Sequence, residues 1–440
     1  MAAIYSNMKK INIITLGCPK NQDDTNNLSS FLLRKGFVIE PDLKKAEAVL
    51  VHTCSFIEDA KKESIETILK VSRQKRKGTK LFVTGCLVQQ HGKELLKGFP
   101  EVDGFLGTGQ LSKLVGFLKN PEEKFFNRDR PGGFFDPDGL MIPSDGKLTA
   151  YLRISEGCNH ICSFCVIPML RGPFISRSEE MIVREAKSLY SQGIREIILI
   201  GQDTGLWGKD LYGRSELPNL LRKLRALKFD WIRLMYMHPN SLTDETLAAL
   251  AESPEIFTYL DLPLQHIDDG LLRKMKRKLF EQGTRELLEK IHKRLPGISL
   301  RTTFLVGYPA ETEKEFLKLV NFVKEGHFDY AGSFAYSKEA HTPAGKSQRQ
   351  IPQKVKEERQ KIIAEAQYEV SEEKAKRRLG SVEKVLFEEK EYGQIFGRTA
   401  REAPEIDAVV KIPAGKTPLH KFAPIKLTGY DAYEFRGQEI

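Results

Sequence analysis

The chain has 440 residues, 69 Lys and Arg against 59 Asp and Glu, and a net charge of +10 with 40% hydrophobic residues. That length suits two or three domains with separate cores. No apolar run is long enough to cross a bilayer, and no leader-like segment opens the chain, so no membrane contact and a cytoplasmic location are expected. The six cysteines argue for free thiols serving metals or catalysis and against disulfides.

The short apolar run Ile11 to Leu16 predicts a buried strand that delivers Cys18 to a turn, and Leu28 to Lys35 reads as a helix. The plan repeats: a strand at Ala48 to Val51 leads to Cys54, an amphipathic helix covers Ile57 to Ser72, and a strand at Leu81 to Thr84 ends at Cys86. Alternating strand and helix predicts a doubly wound parallel sheet, whose strand ends meet along one edge. Cys18, Cys54 and Cys86 therefore converge, as expected of three thiolates holding an iron–sulfur cluster, whereas a single buried Cys is ordinarily a small hydrophobe. Residues 120 to 148 are turn-rich and read as an interdomain linker, after an N-terminal domain over 1–135.

A strand at Tyr151 to Ile154 feeds the loop Cys158-Asn-His-Ile-Cys162-Ser-Phe-Cys165. Three thiolates at this spacing can grip three irons of a 4Fe–4S cube and leave the fourth open to a small molecule. Strands follow at Glu196 to Ile200, Trp231 to Tyr236, Tyr259 to Leu262 and Leu300 to Val306 with helices between them. They predict a partial (β/α) barrel over 149–375, with chemistry at the carboxyl ends of its strands, where Gln202, Asp203, Gln265, His266 and Gly307 fall. Each of these polar residues also has an ordinary structural reading. Pro352 to Arg378 predicts a long charged helix whose basic face is either solvated or touches RNA. Alternating short runs after Gly380 predict a small antiparallel β-barrel over 380–440.

The CxxxCxxC loop resembles that of the radical S-adenosylmethionine family, and TLGCPKN at 15–21, HTCSFIEDAKKESI at 52–65 and VTGCL at 83–87 resemble the N-terminal domain of the methylthiotransferases. His52 and Ser55 stand where that family commonly has Asn and Gly. The resemblance implies two 4Fe–4S clusters and S-adenosylmethionine as cofactors. Cys158, Cys162 and Cys165 would hold the cluster that splits S-adenosylmethionine to a radical, and Cys18, Cys54 and Cys86 an auxiliary cluster. It assigns Gln202 and Asp203 to the methionine end of the cofactor and Gly307 to its adenosine end. Phe164 would contact adenine through its backbone, Gln265 would lie at the same site, and Arg171 would offset the cofactor carboxylate.

The tail resembles a TRAM domain, a module that often binds RNA, yet residues 381–440 hold nine Lys or Arg against ten Asp or Glu. That balance suits a basic protein partner better than a phosphate backbone, with Glu388, Glu389, Glu391, Glu402, Glu405 and Asp407 as candidate contacts. TLGCPKN, LPLQHIDDGLLRKMKR at 262–277 and REAPEID at 401–407 resemble the branch that methylthiolates an aspartate of small-subunit ribosomal protein twelve. The partners implied are that ribosomal protein and an electron donor such as flavodoxin or ferredoxin; the net positive charge reads either as contact with ribosomal RNA or as a lysine-rich surface, and a monomer is expected. Two alternatives stand beside this: a transfer RNA methylthiotransferase, and a nonenzymatic metal-binding module for ribosome assembly.

Overall fold

A computed structural model describes residues 9–119, 125–127, 129, 146–415 and 417–440, so most of the expected linker lies outside the described residues. The chain divides into two compact units, one of Met1–Ile142, Tyr151–His160 and Cys165–Ser188, the other of Pro143–Ala150, Ile161–Phe164 and Leu189–Ile440.

The first unit runs β1 (Lys10–Thr15), α1 (Pro19–Arg34), β2 (Val38–Ile39), β3 (Ala48–Thr53), α2 (Glu58–Gln74), β4 (Lys80–Gly85), α3 (Cys86–Gly98), β5 (Gly104–Leu106), α4 (Leu114–Lys119) and β6 (Phe125–Asn127). Its sheet has the order β2-β1-β3-β4-β5-β6 and is parallel throughout. Val49, Val51, Leu81 and Val83 pack under α2 and α3 on one face, while Ile11, Leu50 and Phe82 pack under Leu28 and Leu32 of α1 on the other. A strand buried on both faces reads as a continuous apolar run, which is why AVLV and LFV were legible. After β7 (Thr149–Arg153), this unit also takes in β8 (Ser155–Glu156), α5 (Ile167–Arg171) and β9 (Ile175–Ser176), with β8 and β9 paired antiparallel.

The second unit follows α6 (Glu179–Ser191). It contains β10 (Glu196–Ile200), α7 (Lys209–Tyr212), α8 (Leu217–Arg225), β11 (Trp231–Leu234), α9 (Asp244–Ala251), β12 (Tyr259–Asp261) and α10 (Asp269–Lys274). It continues with α11 (Glu281–Arg294), β13 (Ser299–Val306), α12 (Glu313–Lys324), β14 (Tyr330–Ala335) and the long α13 (Gln353–Lys376). Strands β10 to β14 pair in sequence order and all in parallel, the open barrel wall that repeated strand–helix units predict. The tail forms β15 (Val382–Glu391), β16 (Gln394–Arg398), β17 (Val409–Pro413), β18 (Lys421–Asp431) and β19 (Glu434–Glu439), closed in the order β15-β16-β17-β19-β18. One pairing in this barrel, β17 with β19, is parallel, where the alternation alone suggested an antiparallel meander.

The small barrel is fastened to the amino ends of the β10–β14 wall. Glu196, fully buried at the start of β10, receives hydrogen bonds from Arg398 of β16 (2.8 Å) and Thr149 (2.7 Å) and pairs with Arg233 of β11. Arg233 also donates to the carbonyls of Ala400 (2.8 Å) and Thr399 (3.1 Å). Asp407 accepts from Tyr259 (2.6 Å) and Arg301 (2.8 Å), and Glu402 from Tyr330 (2.9 Å) and Arg378 (2.6 Å). REAPEID is therefore a docking segment for the barrel wall. The side chains of Glu402 and Asp407 are buried in it and are not open to a partner, and Glu388 is engaged by Arg398. Arg301 of the wall, Arg378 after α13 and Arg398 of the barrel itself engage these acids, so the near-zero charge of the tail says little about its outer surface.

Candidate functional site

Three strand ends present the first set of thiols. Cys18 sits at the N-cap of α1, with Pro19 opening the helix and the Cys18 carbonyl accepting from Asn21 N–H at 2.9 Å. Cys54 follows β3, and Ser64 of α2 clamps its backbone by accepting from its N–H (3.1 Å) and donating to its carbonyl (2.9 Å). Cys86 begins α3 directly after β4. The Cys18 and Cys54 loops touch at Gly17, whose φ is +90° and where a Cβ would lie 2.5 Å from Cys54 Cβ and 2.8 Å from its Sγ. Only glycine fits there.

A buried polar network surrounds these thiols. Helix α1 buries Asn21, Asp23, Asp24 and Asn27, an unusual face for a helix to hide. Asn21 donates to the carbonyls of Leu16 (2.8 Å) and Thr53 (3.2 Å), tying the first two cysteine loops together. Arg171 at the end of α5 donates to Asn21 (2.7 Å) and Asp24 (2.9 Å), and its neighbour Leu170 packs in one buried cluster with Cys86, so its charge acts on that thiol. Arg153 pairs with Asp23 (2.5 Å), Asp24 (2.7 Å) and Glu156 (2.7 Å). Burial opposes ionisation of Asp24, but Arg153 and Arg171 outweigh it and hold its carboxyl far below the usual range.

Burial brings His52 down to about 4 against the pull of Asp24, so it is neutral near pH 7, 3.8 Å from that carboxylate. Burial likewise raises the Cys54 thiol and pushes Cys86 up to about 12, with Arg171 resisting at Cys86. Buried thiols beside a fixed guanidinium favour a positive body that takes them as thiolates.

All six cysteines are free thiols. Among the described residues, no three His, Cys, Asp or Glu side chains stand close enough to hold one metal ion. A 4Fe–4S cube offers each thiolate a separate iron, so its ligands need not converge on a point. Ser55 Oγ, Thr84 Oγ1 and both ring nitrogens of His52 are buried without hydrogen-bond partners near the N-terminal strand ends. That donor set and these orphaned atoms fit a cluster in contact with polar groups.

In the second set, Cys158 accepts from His160 N–H (3.4 Å) and Cys165 from Ile167 N–H (3.5 Å), while Cys158 N–H donates to the Gly172 carbonyl (3.1 Å). Cys162 belongs to the other unit, where Arg277 Nη1 lies 3.8 Å from its sulfur. Ser163 donates to the Lys274 carbonyl (2.8 Å) and bonds the Tyr308 hydroxyl (2.9 Å). Phe164 packs on Leu271, Met275, Leu305, Tyr308 and Tyr336. The loop residue expected at the adenine is thus fixed beside the strand end that carries Gly307 and Tyr308.

The other expected site residues are placed as follows. Gln202 follows β10, half-buried. Asp203 is buried and accepts from Gly205 N–H (3.1 Å), His238 N–H (3.1 Å) and Ser241 Oγ (2.6 Å), so its carboxylate organises the β10 and β11 strand ends. Gln265 has φ +74° and bridges to β13 through its backbone. Beside it His266 lies 3.2 Å from Glu311, which also accepts from Gly307 N–H (2.6 Å) and Arg359 (2.5 Å).

The room left by the missing side chain of Gly307 is filled by Lys356 of α13, 2.4 Å from where a Cβ would be. Lys356 and Arg359, expected on a solvated or RNA-facing side of the helix, are buried under the β13 and β14 strand ends. Arg171, expected beside the cofactor carboxylate, bonds Asp24 and Asn21 of α1. Arg153, Arg277, Lys356 and Arg359 carried no sequence signal, because a buried arginine looks like a surface one until its partner is placed.

Comparison with known proteins divides the chain into three matched segments. Residues 10–107 match the family described as Uncharacterized protein family UPF0004, 152–323 the Radical SAM superfamily and 379–440 the TRAM domain. The fold is shared with the radical S-adenosylmethionine methyltransferase TsrM from Kitasatospora setae, at TM-score 0.58 and 16% identity over 77% of this chain and 75% of that one. These domains, with two three-cysteine sets in order, define a radical S-adenosylmethionine methylthiotransferase.

Relatives extend over the full length. The ribosomal protein uS12 methylthiotransferase RimO of Desulfitobacterium hafniense is 38% identical over 98% of this chain and 99% of the relative. The RimO proteins of Geobacter sulfurreducens (99% of this chain, 100% of the relative) and Desulforudis audaxviator (98% and 97%) are 40% and 41% identical. The chain belongs to the RimO family of methylthiotransferases.

Proposed function

We propose that this enzyme replaces a hydrogen on the β-carbon of an aspartate in ribosomal protein uS12 with a methylthio group. The observation that carries this reading is the end-to-end identity with RimO proteins of several organisms, through the N-terminal, radical and C-terminal domains alike. An aliphatic carbon offers neither an acidic proton nor a leaving group, so a polar mechanism has nothing to act on. When bound, a cluster on Cys158, Cys162 and Cys165 would supply the electron that cleaves S-adenosylmethionine, and one on Cys18, Cys54 and Cys86 would carry or receive the sulfur.

The chain's own residues hold these parts. Ser163 and Tyr308 fix the backbone between the second and third ligand of the radical site, and Arg277 places a cation at Cys162. Glu311, held by Arg359, fixes the Gly307 turn through its backbone N–H. Asn21 and Arg171 hold the loops of the N-terminal set in register. Among the described residues, no helix is long and apolar enough to cross a membrane. Work in the cytoplasm with a flavodoxin- or ferredoxin-type donor, as a monomer and with ribosomal RNA beside the protein substrate, completes the proposal.

The test is anaerobic reconstitution followed by iron counting and S-adenosylmethionine cleavage. About eight irons per chain with deoxyadenosine formed on reduction supports two clusters, and about four would remove one of them. The transfer RNA reading predicts a modified nucleoside and no change in uS12.

A further inference from the structure

We propose that Arg171 is a positioning residue that sets the reduction potential of the N-terminal cluster, placing a fixed positive charge at the Cys86 sulfur and bracing it on Asp24 and Asn21. This rests on reading Cys18, Cys54 and Cys86 as ligands of an iron–sulfur cluster. The geometry is specific. Arg171 is fully enclosed, with one arm of its fork on Asp24 at 2.9 Å and the other on Asn21 at 2.7 Å. Asn21 is the residue that bridges the Cys18 and Cys54 loops. Leu170, next to Arg171, and Val166 at the start of α5 form one buried cluster with Cys86. One guanidinium thus reaches all three cysteine segments.

Reduction adds negative charge to a cluster. A cation held at a ligand sulfur in a buried, low-dielectric setting favours the reduced state, so it raises the potential. The local charges sharpen its part: Asp23, Asp24 and Glu156 are buried together, Arg153 already bonds all three, and the other buried cation, Lys20, sits on the Cys18 side. Without Arg171 the surroundings of the thiolates lose a buried positive charge while the three acids stay. Arg171 also lies at the opposite end of α5 from Cys165, so the segment that supplies a thiol to the radical site supplies the cation to the N-terminal site.

The experiment uses the full chain carrying Cys158→Ala, Cys162→Ala and Cys165→Ala, which leaves the N-terminal thiols alone to bind iron. The midpoint potential is read by a redox titration followed by electron paramagnetic resonance, with iron counted on each sample. Arg171→Gln should shift the midpoint to a more negative value at unchanged iron. Arg171→Lys, which keeps the charge but cannot span both partners, should fall between the two.

The paired variant Arg171→Gln with Asp24→Asn removes the carboxylate that the single change leaves exposed to burial. It should fold if the single variant does not, with a smaller shift in the same direction. A midpoint equal to the parent's in either Gln variant, with iron retained, overturns the proposal. A parent that binds no cluster overturns the reading of the three cysteines beneath it, and the two failures are told apart by whether the parent holds iron.

Discussion

Replacing Glu196 by Gln tests how the C-terminal barrel is joined to the parallel wall. Glu196 is buried between Arg233 and Arg398 and accepts from Thr149. Burial disfavours its charge, but Arg398 and Arg233 overcome this and bring the carboxyl from 4.5 to about 2, a preference for the ionised form worth about 3 kcal/mol. The amide would leave buried Arg398 with only the partly exposed Glu388 as a carboxylate partner, and buried Arg233 with backbone carbonyls alone. Removing one member of a buried ion network costs about 3–5 kcal/mol, which for a unit of this size lowers the thermal midpoint on the order of 10 °C.

Both tryptophans, Trp207 and Trp231, belong to this unit, so fluorescence follows its unfolding without signal from the other. Because the folded carboxyl titrates below its unfolded value, its stabilisation is complete above about 4.5 and is lost as pH falls toward 2. The gap between parent and variant should therefore be full at pH 7 and shrink below pH 4. Equal midpoints at pH 7, or a gap independent of pH, would refute the argument.

Three further outcomes are expected. Cys158→Ala, Cys162→Ala or Cys165→Ala should each remove all S-adenosylmethionine cleavage while about half the iron remains, measured as deoxyadenosine and bound iron. Cys18→Ala, Cys54→Ala or Cys86→Ala should abolish methylthiolated product yet spare reductive cleavage, read from the same samples. Deleting residues 380–440 should lower soluble yield and cleavage together, because Glu196, Arg233, Tyr259 and Arg301 lose buried partners in that segment. A truncated protein that stays soluble with full cleavage would show that the small barrel is only an appended binding module.

The strand ends that carry Cys18, Cys54 and Cys86 were legible because parallel strands buried on both faces read as apolar runs, and α/β chain reversal puts their carboxyl ends on one edge. The cysteine spacing at 158–165 was equally plain. The charged network was not legible. Arg171 meets Asp24, and Glu402 meets Arg378 and Tyr330, through pairings between distant segments, so composition counted these groups as surface charge. REAPEID, one of the segments that resemble the ribosomal-protein branch, also fastens the tail. On α13 the apolar positions gave the helix correctly, but burial of Lys356 and Arg359 follows from the turn at Gly307 and from Glu311, which helical periodicity does not describe.

The central claim is tested most directly by weighing the substrate. The reconstituted enzyme, with S-adenosylmethionine, a reductant and a sulfide source, is incubated separately with purified uS12 and with transfer RNA, and both are analysed by mass spectrometry. uS12 should gain the mass of one methylthio group in place of one hydrogen, located by fragmentation to a single aspartate, while the transfer RNA is unchanged. An unmodified uS12 beside a methylthiolated adenosine in the transfer RNA would contradict it.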